Sequence, residues 1–258
     1  MNTIIDLNLL QMLCAYLFIV ILLIIVKKRG IKREGEILIS SLRMTVQLVI
    51  AGYVLGIVFK NDNPVYTILI LIGMEAFSIY NIFKRTKFKL SRDLKKIIAL
   101  SMVVGTTSSL IYFLFVVVKV TPWYNSRYFI PIGGMLIGNS MTGISLGING
   151  LLDGIISKKE IVETALMLGA TPKESCKDIV NHAFDSAILP TINSMVGMGI
   201  VFLPGMMTGQ ILSGTSPTTA ISYQIAIMLG ILGSVTLSVI LFLLLGYKTF
   251  FNEEDQLI

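Results

Sequence analysis

Residues 7–26 read LNLLQMLCAYLFIVILLIIV and run directly into KKRGIKR at 27–33. A helix rises about 1.5 Å per residue and the hydrocarbon core of a bilayer is about 30 Å thick, so roughly 20 apolar residues make one crossing. A membrane-spanning β-strand needs only about ten and alternates apolar with polar, whereas Ile19–Val26 is apolar at every position. The stretch is a membrane helix, and similar stretches recur at 37–58, 64–83, 97–118, 129–149, 188–212 and 219–246. With 258 residues, 54% hydrophobic, 14% charged and a mean hydropathy of +0.82, the composition excludes an ordinary soluble domain. The predicted fold is all-α: a polytopic helical membrane protein of about seven transmembrane helices, organised as a single membrane domain over 1–258.

The charges orient these helices. Lys27, Lys28, Arg29, Lys32 and Arg33 follow the first span; Lys84, Arg85, Lys87, Lys89, Arg92, Lys95 and Lys96 follow the third. Lys158, Lys159, Lys173 and Lys177 follow the fifth, and Lys248 lies in the C-terminal tail. The opposite side holds Lys60, Lys119 and Arg127. Cytoplasmic loops collect Lys and Arg, which places the N-terminus outside and the C-terminus in the cytoplasm of a cell-membrane protein, inner or plasma. The net charge of +6 sits in short loops at helix ends, which fits anionic lipid rather than nucleic acid. No basic segment precedes the first apolar stretch, which is therefore read as a retained helix and not a cleaved signal. Cys14 falls within that helix and Cys176 in a cytoplasmic segment, so no disulfide or cysteine-based metal site is expected.

Polar groups inside the spans mark candidate sites. Arg43 and Gln47 lie one turn apart in the second span and Glu75 inside the third. Counted from the cytoplasmic edge, Arg43 and Glu75 are roughly 9 and 12 Å deep. Ionisable groups at such depth face the bundle interior, pair with each other or line an aqueous path. An Arg43/Glu75 ion pair is expected, serving either packing or the pathway. In PIGGMLIGNSMTGIS (131–145) small residues permit close helix approach, while Asn139 and Thr142 form a polar strip that either glues helices or lines the path. The sixth span carries Pro190, Asn193, Gly197, Gly199 and LPGMMTG (203–209). A kink or break there is expected around Pro204, Met206 and Met207, forming the gate or substrate contact. The methionines of this region, Met135, Met141, Met195, Met198, Met206 and Met207, are adaptable packing material or soft-metal ligands.

Residues 157–187 form the most specific local pattern. Ser157 with Glu160, and Thr171 with Glu174 behind Pro172, both match a capping box; Gly169 fits a left-handed helix stop. Two short helices over about 158–168 and 172–187 are predicted. The first carries Ile161, Val162, Ala165, Leu166 and Leu168, too short to span and too apolar for a free loop. It lies on lipid, packs on the chain's own helix ends, or docks into a soluble subunit. His182 is the chain's lone histidine and reads as a surface or packing residue.

The chain resembles the FetB-type ABC transporter permease family, which includes bacterial iron-export permeases and plant aluminium-tolerance permeases. The resemblance rests on Arg43, Gln47 and Leu48 with GYVL (52–55), PIGGMLIGNSM (131–141), LGATPKES (168–175), LPTINSM (189–195), VFLPGMMTGQILSG (201–214) and Tyr223-Gln224. ETALMLGATPKES (163–175) is also similar to the EAA-type coupling loop of ABC importers, with Thr164 in place of the first Ala. The resemblance implies a permease that couples to a separate ATPase subunit through Glu163, Ala165, Leu166, Gly169, Ala170, Thr171 and Pro172. It further implies a permease homodimer and export of iron or another metal ion, or of a nucleotide sugar. ATP then belongs to the partner subunit: the chain has no Walker A pattern, binds no cofactor of its own and is not an enzyme. A secondary transporter or channel would share the broken sixth span but would not need a capped docking helix, and the chain lacks a clear inverted repeat. A membrane enzyme would need a paired carboxylate, a Ser/His arrangement or a ligand cluster, none of which the sequence offers.

Overall fold

The computed structural model describes residues 7–61, 63–86, 88 and 90–257. Two of the basic loop residues, Lys87 and Lys89, lie outside the described residues. Six helices among the described residues are long and apolar enough to cross a bilayer, and the regular structure described is helical apart from isolated bridges. The chain divides into two compact units.

The first unit contains α1 (Leu9–Lys28) and α2 (Glu34–Lys60). Asn8 and Gln11 close a capping box at the start of α1, supplying partners to orphan backbone N–H groups. At its end Gly30 takes a φ of +66°, and the N–H groups of Ile31 and Gly30 reach the carbonyls of Val26 and Lys27, the closure that makes a sharp helix stop. The Tyr16 and Thr45 hydroxyls are hydrogen-bonded across the hairpin.

The second unit holds α3 (Pro64–Arg85), α4 (Arg92–Tyr112, continued by a π-type turn over Phe113–Val118), α5 (Ser126–Ser157), α6 (Lys159–Met167), α7 (Pro172–Ser175), α8 (Lys177–Gly197), α9 (Gly205–Leu212) and α10 (Pro217–Gly246). Most of α9 belongs to this unit, with Leu212 grouped in the first. The central α5 packs against α3, α4, α8 and α10. Small residues set its approach to α8: a methyl group on Gly150 would lie 3.0 Å from Ala183 Cα, and one on Gly154 would lie 2.5 Å from the Ile179 side chain. Since residues 150 and 154 face 183 and 179, the two helices run antiparallel. Across the α5–α10 seam the buried hydroxyls of Ser140 and Ser234 are hydrogen-bonded at 3.0 Å.

Most of the described basic residues of this unit collect at one end, with Lys119 and Arg127 at the other. Leu94 packs near Gly246, Lys95 lies over the Phe83 ring, and Thr171–Lys173 line a groove with Tyr247, Lys248 and Phe251. The end of α3, both ends of the α5–α8 connection and the end of α10 therefore share the face that carries Lys84, Arg85, Lys95, Lys158, Lys173 and Lys248. The opposite end is joined by Thr67 Oγ1, which donates to the Tyr124 carbonyl at 3.2 Å.

Three expectations need correction. Residues 188–212 are not one helix: α8 ends at Gly197, Met198–Pro204 form a loop, and α9 begins at Gly205. The break thus precedes Pro204, whose carbonyl accepts from Thr208 N–H at the start of α9. Ser157 does not cap a new helix. The fifth helix runs on to Ser157 because Leu151, Leu152 and Ile155 remain buried, and the Ser157 hydroxyl donates back to the Gly154 carbonyl. The second short helix predicted over 172–187 is interrupted at Cys176 and, beyond it, continues as α8 to Gly197.

Candidate functional site

The elbow at 158–176 is built from a buried base and an exposed tip. Val162 and Cys176 are fully buried beneath it, whereas Met167 and Leu168 are each 84% exposed. Gly169, at φ +91°, reverses the chain, with Gly169 N–H donating to the Leu166 carbonyl and Ala170 N–H to that of Ala165. This pair of bonds is the Schellman closure, which favours glycine because it needs a left-handed residue. Two residues later Thr171 opens the predicted capping box with Glu174, with Thr171 N–H 2.9 Å from the carboxylate and Glu174 N–H 3.3 Å from the Thr171 hydroxyl. The backbone N–H of Thr171, followed by its hydroxyl, holds the Glu174 carboxyl below the usual carboxylate range. Burial pushes the Cys176 thiol up. Glu163 is paired with Lys159 along α6 at 3.6 Å, and Ala165, Leu166, Ala170 and Pro172 are half-buried between base and tip. A backbone closure at Gly169 and a side-chain cap at Thr171 and Glu174 thus shape a turn whose apolar tip is exposed.

The intramembrane polar residues separate into two groups. Asn139 and Thr142 are exposed on α5, each donating to its own helix, to the Met135 carbonyl at 2.8 Å and the Gly138 carbonyl at 3.2 Å. Asn193 is exposed on α8, and the antiparallel register places it near the level of Asn139. Beyond it, Val201 N–H closes on the Gly197 carbonyl at 2.9 Å, Ile200 and Val201 stand 91% and 80% exposed, and the buried Gln224 amide donates to Met198 Sδ at 3.7 Å. Pro204 and Met206 are half-buried and Met207 is buried. Met135, Met141, Met195, Met198 and Met206 pack against the core, which is the adaptable filling role of methionine.

Glu75 stands apart from that strip. It lies on α3, with the Thr106 hydroxyl 3.2 and 3.3 Å from its carboxylate oxygens. Arg43 and Gln47 are exposed on α2 in the first unit, whereas Glu75 belongs to the second. Sequence reasoning missed Thr106, whose only signal is a polar residue within the apolar frame of α4. It also missed the C-terminal hook, in which Asn252 accepts from the Glu254 and Gln256 N–H groups at 3.0 and 2.8 Å. Phe250, Phe251 and Leu257 of this hook pack against the core; the Phe-Phe-Asn run at 250–252 is the signal that was present.

The family model described as "Uncharacterised protein family (UPF0014)" matches residues 9–251. The chain is 35% identical to "UPF0014 membrane protein YjkA" of Bacillus subtilis (strain 168), over 93% of this chain and 94% of the relative. It is 33% identical to "Probable iron export permease protein FetB" of Escherichia coli (strain K12), over 95% and 92%. It is 36% identical to "Protein ALUMINUM SENSITIVE 3" of Arabidopsis thaliana, over 94% and 88%. No solved structure matches the chain.

Proposed function

Since the chain belongs to the UPF0014 family of membrane proteins, we propose that it is the transmembrane permease subunit of an ABC transporter that exports iron or another metal ion, driven by a separate ATPase subunit. The observation that carries the reading is the elbow: two apolar side chains, Met167 and Leu168, held 84% exposed by a glycine stop and a capping box. A short helix with such a tip suits a groove on a soluble partner. The metal comes from the relative whose name describes iron export. In this reading α8 is the seventh crossing, its polar side chains tolerated because it runs beside α5, and the basic end faces the cytoplasm. ATP-driven closure of two partner subunits displaces the elbows of a permease homodimer. The path is lined by Asn139, Thr142 and Asn193 and gated at the 198–204 break, with Arg43 and Gln47 as further pathway candidates.

The test is reconstitution of the chain with its cognate ATPase in liposomes. Ferrous ion is expected to stimulate ATP hydrolysis and to move across the bilayer only when both subunits are present. Full pumping by the purified chain alone, or no association with the ATPase, overturns the reading.

A further inference from the structure

Glu75 opens into a cavity of about 620 Å³ between α3, α4 and α5. The helix that carries it runs from Pro64 to Arg85, so the carboxyl lies roughly 15 Å from either end, at the depth of the bilayer centre. The cavity floor is apolar and closed by Leu110, Leu136 and Ile137, while Ile72, Val103 and Ile111 at the rim are exposed. Among the described residues of this unit no cation pairs with Glu75. From α4 it is faced by Val103, Thr106 and Thr107 and from α5 by Phe129, Gly133 and Leu136, none of which titrates.

We propose that this cavity binds an apolar organic monocation, a tertiary or quaternary ammonium or a group of like charge and shape, taken from the bilayer in exchange for one proton on Glu75. Charge and shape select this ligand. A bare carboxylate in an apolar cavity is costly, so the stable states are those in which the site is neutral. The Thr106 hydroxyl has a single hydrogen and stands 2.8 Å from the Met102 carbonyl; with that hydrogen given to Met102, its lone pairs face Glu75, which suits a carboxyl that carries a proton. A monocation replacing the proton preserves neutrality. A divalent ion leaves one uncompensated positive charge and also requires several oxygen or nitrogen ligands, where the cavity offers one carboxylate and two threonine hydroxyls. No group of three His, Cys, Asp or Glu side chains able to hold a metal occurs among the described residues. The volume falls within the range of small-molecule sites, and such sites combine apolar walls with few polar groups.

The test uses the full chain in lipid nanodiscs without any ATPase, so its outcome is separate from that of the transporter reading. The probe is tetraphenylphosphonium, followed by calorimetry and by a pH-sensitive dye in weak buffer. Saturable binding is expected with about one proton released per cation. Glu75→Gln, with nearly the same side-chain volume, is expected to abolish release and weaken binding at least tenfold, while Glu75→Asp keeps both. Ala76→Phe, which fills the rim without altering charge, is expected to abolish binding in a chain that still elutes as a single species, and it decides the matter should Glu75→Gln fail to fold. Equal binding by a folded Glu75→Gln variant, binding without proton release, unchanged binding by a folded Ala76→Phe variant, or displacement of the probe by ferrous ion overturns the proposal.

Discussion

Truncating Leu168 to alanine separates a docking role for the elbow from a structural one. The side chain is 84% exposed, so nearly all of its apolar surface remains to be covered by a partner. Each buried methylene is worth about 0.8 kcal/mol, and Leu→Ala removes three carbons, so complete burial on docking implies a loss of about 2 kcal/mol. At 1.4 kcal/mol per decade this is roughly a 30-fold rise in Kd. The same exposure means that the free chain loses almost nothing: its melting temperature in detergent should be unchanged. Val162, fully buried under the same helix, reverses the pattern, since Val162→Ala opens a void and costs about 1 to 2 kcal/mol of folding stability. The assay is microscale thermophoresis between nanodisc-embedded chain and cognate ATPase, with thermal unfolding of each variant alongside. A folded Leu168→Ala chain that binds within twofold of wild type refutes the docking role.

A methyl group on Gly105 would lie 2.7 Å from the Ser238 Cα and 2.8 Å from its nitrogen, and backbone atoms cannot rotate away. Gly105→Ala should cost about 1 to 3 kcal/mol by forcing α4 and α10 apart, whereas Gly138→Ala, with nothing within 4 Å, should be neutral or slightly stabilising; thermal unfolding in detergent ranks them. The Glu174 carboxyl has a lowered pKa, so the cap stabilises the elbow above the ordinary carboxylate pKa of about 4.3 and is lost as pH falls through the folded value. Partner affinity should therefore be insensitive to this group from about pH 8 to 5 and decline in the acid range, a decline that Glu174→Gln removes in a pH series of binding isotherms. For the homodimer, Asn139→Cys in a Cys14→Ser background should cross-link two chains through a short bifunctional maleimide in membranes; absence of a dimer band, with the thiol shown to be reactive, removes the α5 face from the dimer interface.

The helical membrane class was legible because it depends on length and apolarity, which a span such as 7–26 displays without tertiary help. Thr171, Glu174 and Gly169 were legible for a related reason: caps and left-handed stops are local chemistry. Ser157 failed as a cap because its pattern was outweighed by the buried Leu151, Leu152 and Ile155, which hold the preceding helix together for two further turns. The helix end at Gly197 was displaced from the proline that suggested it, since the loop is closed by backbone bonds of Gly197 and Gly199 rather than imposed by the ring of Pro204. Thr106 beside Glu75 could not be read at all: the two residues are 31 positions apart and meet only because α3 and α4 pack in a particular rotation.

The position of the elbow gives the proposed coupling a mechanical basis. At 32 residues, α5 is about 48 Å long, well beyond the hydrocarbon thickness, so its last turns project past the basic end and lead through Lys158 into α6. The return path enters α8 directly behind the capped turn at Thr171. Gly150 against Ala183 and Gly154 against Ile179 bring the two helices too close to slide, because either displacement drives a side chain into backbone. In the proposed coupling a push on the tip therefore moves α5 and α8 together, carrying Asn139, Thr142 and Asn193 as a unit. The motion has to be absorbed where this pair loses its continuity, and the first such place along α8 is the loop from Met198 to Pro204. In the proposed coupling, a close-packed pair ending in a hydrogen-bonded break converts displacement at one face into rearrangement at the other, and the glycine closure and the Thr171/Glu174 cap supply the stiffness which that transmission requires.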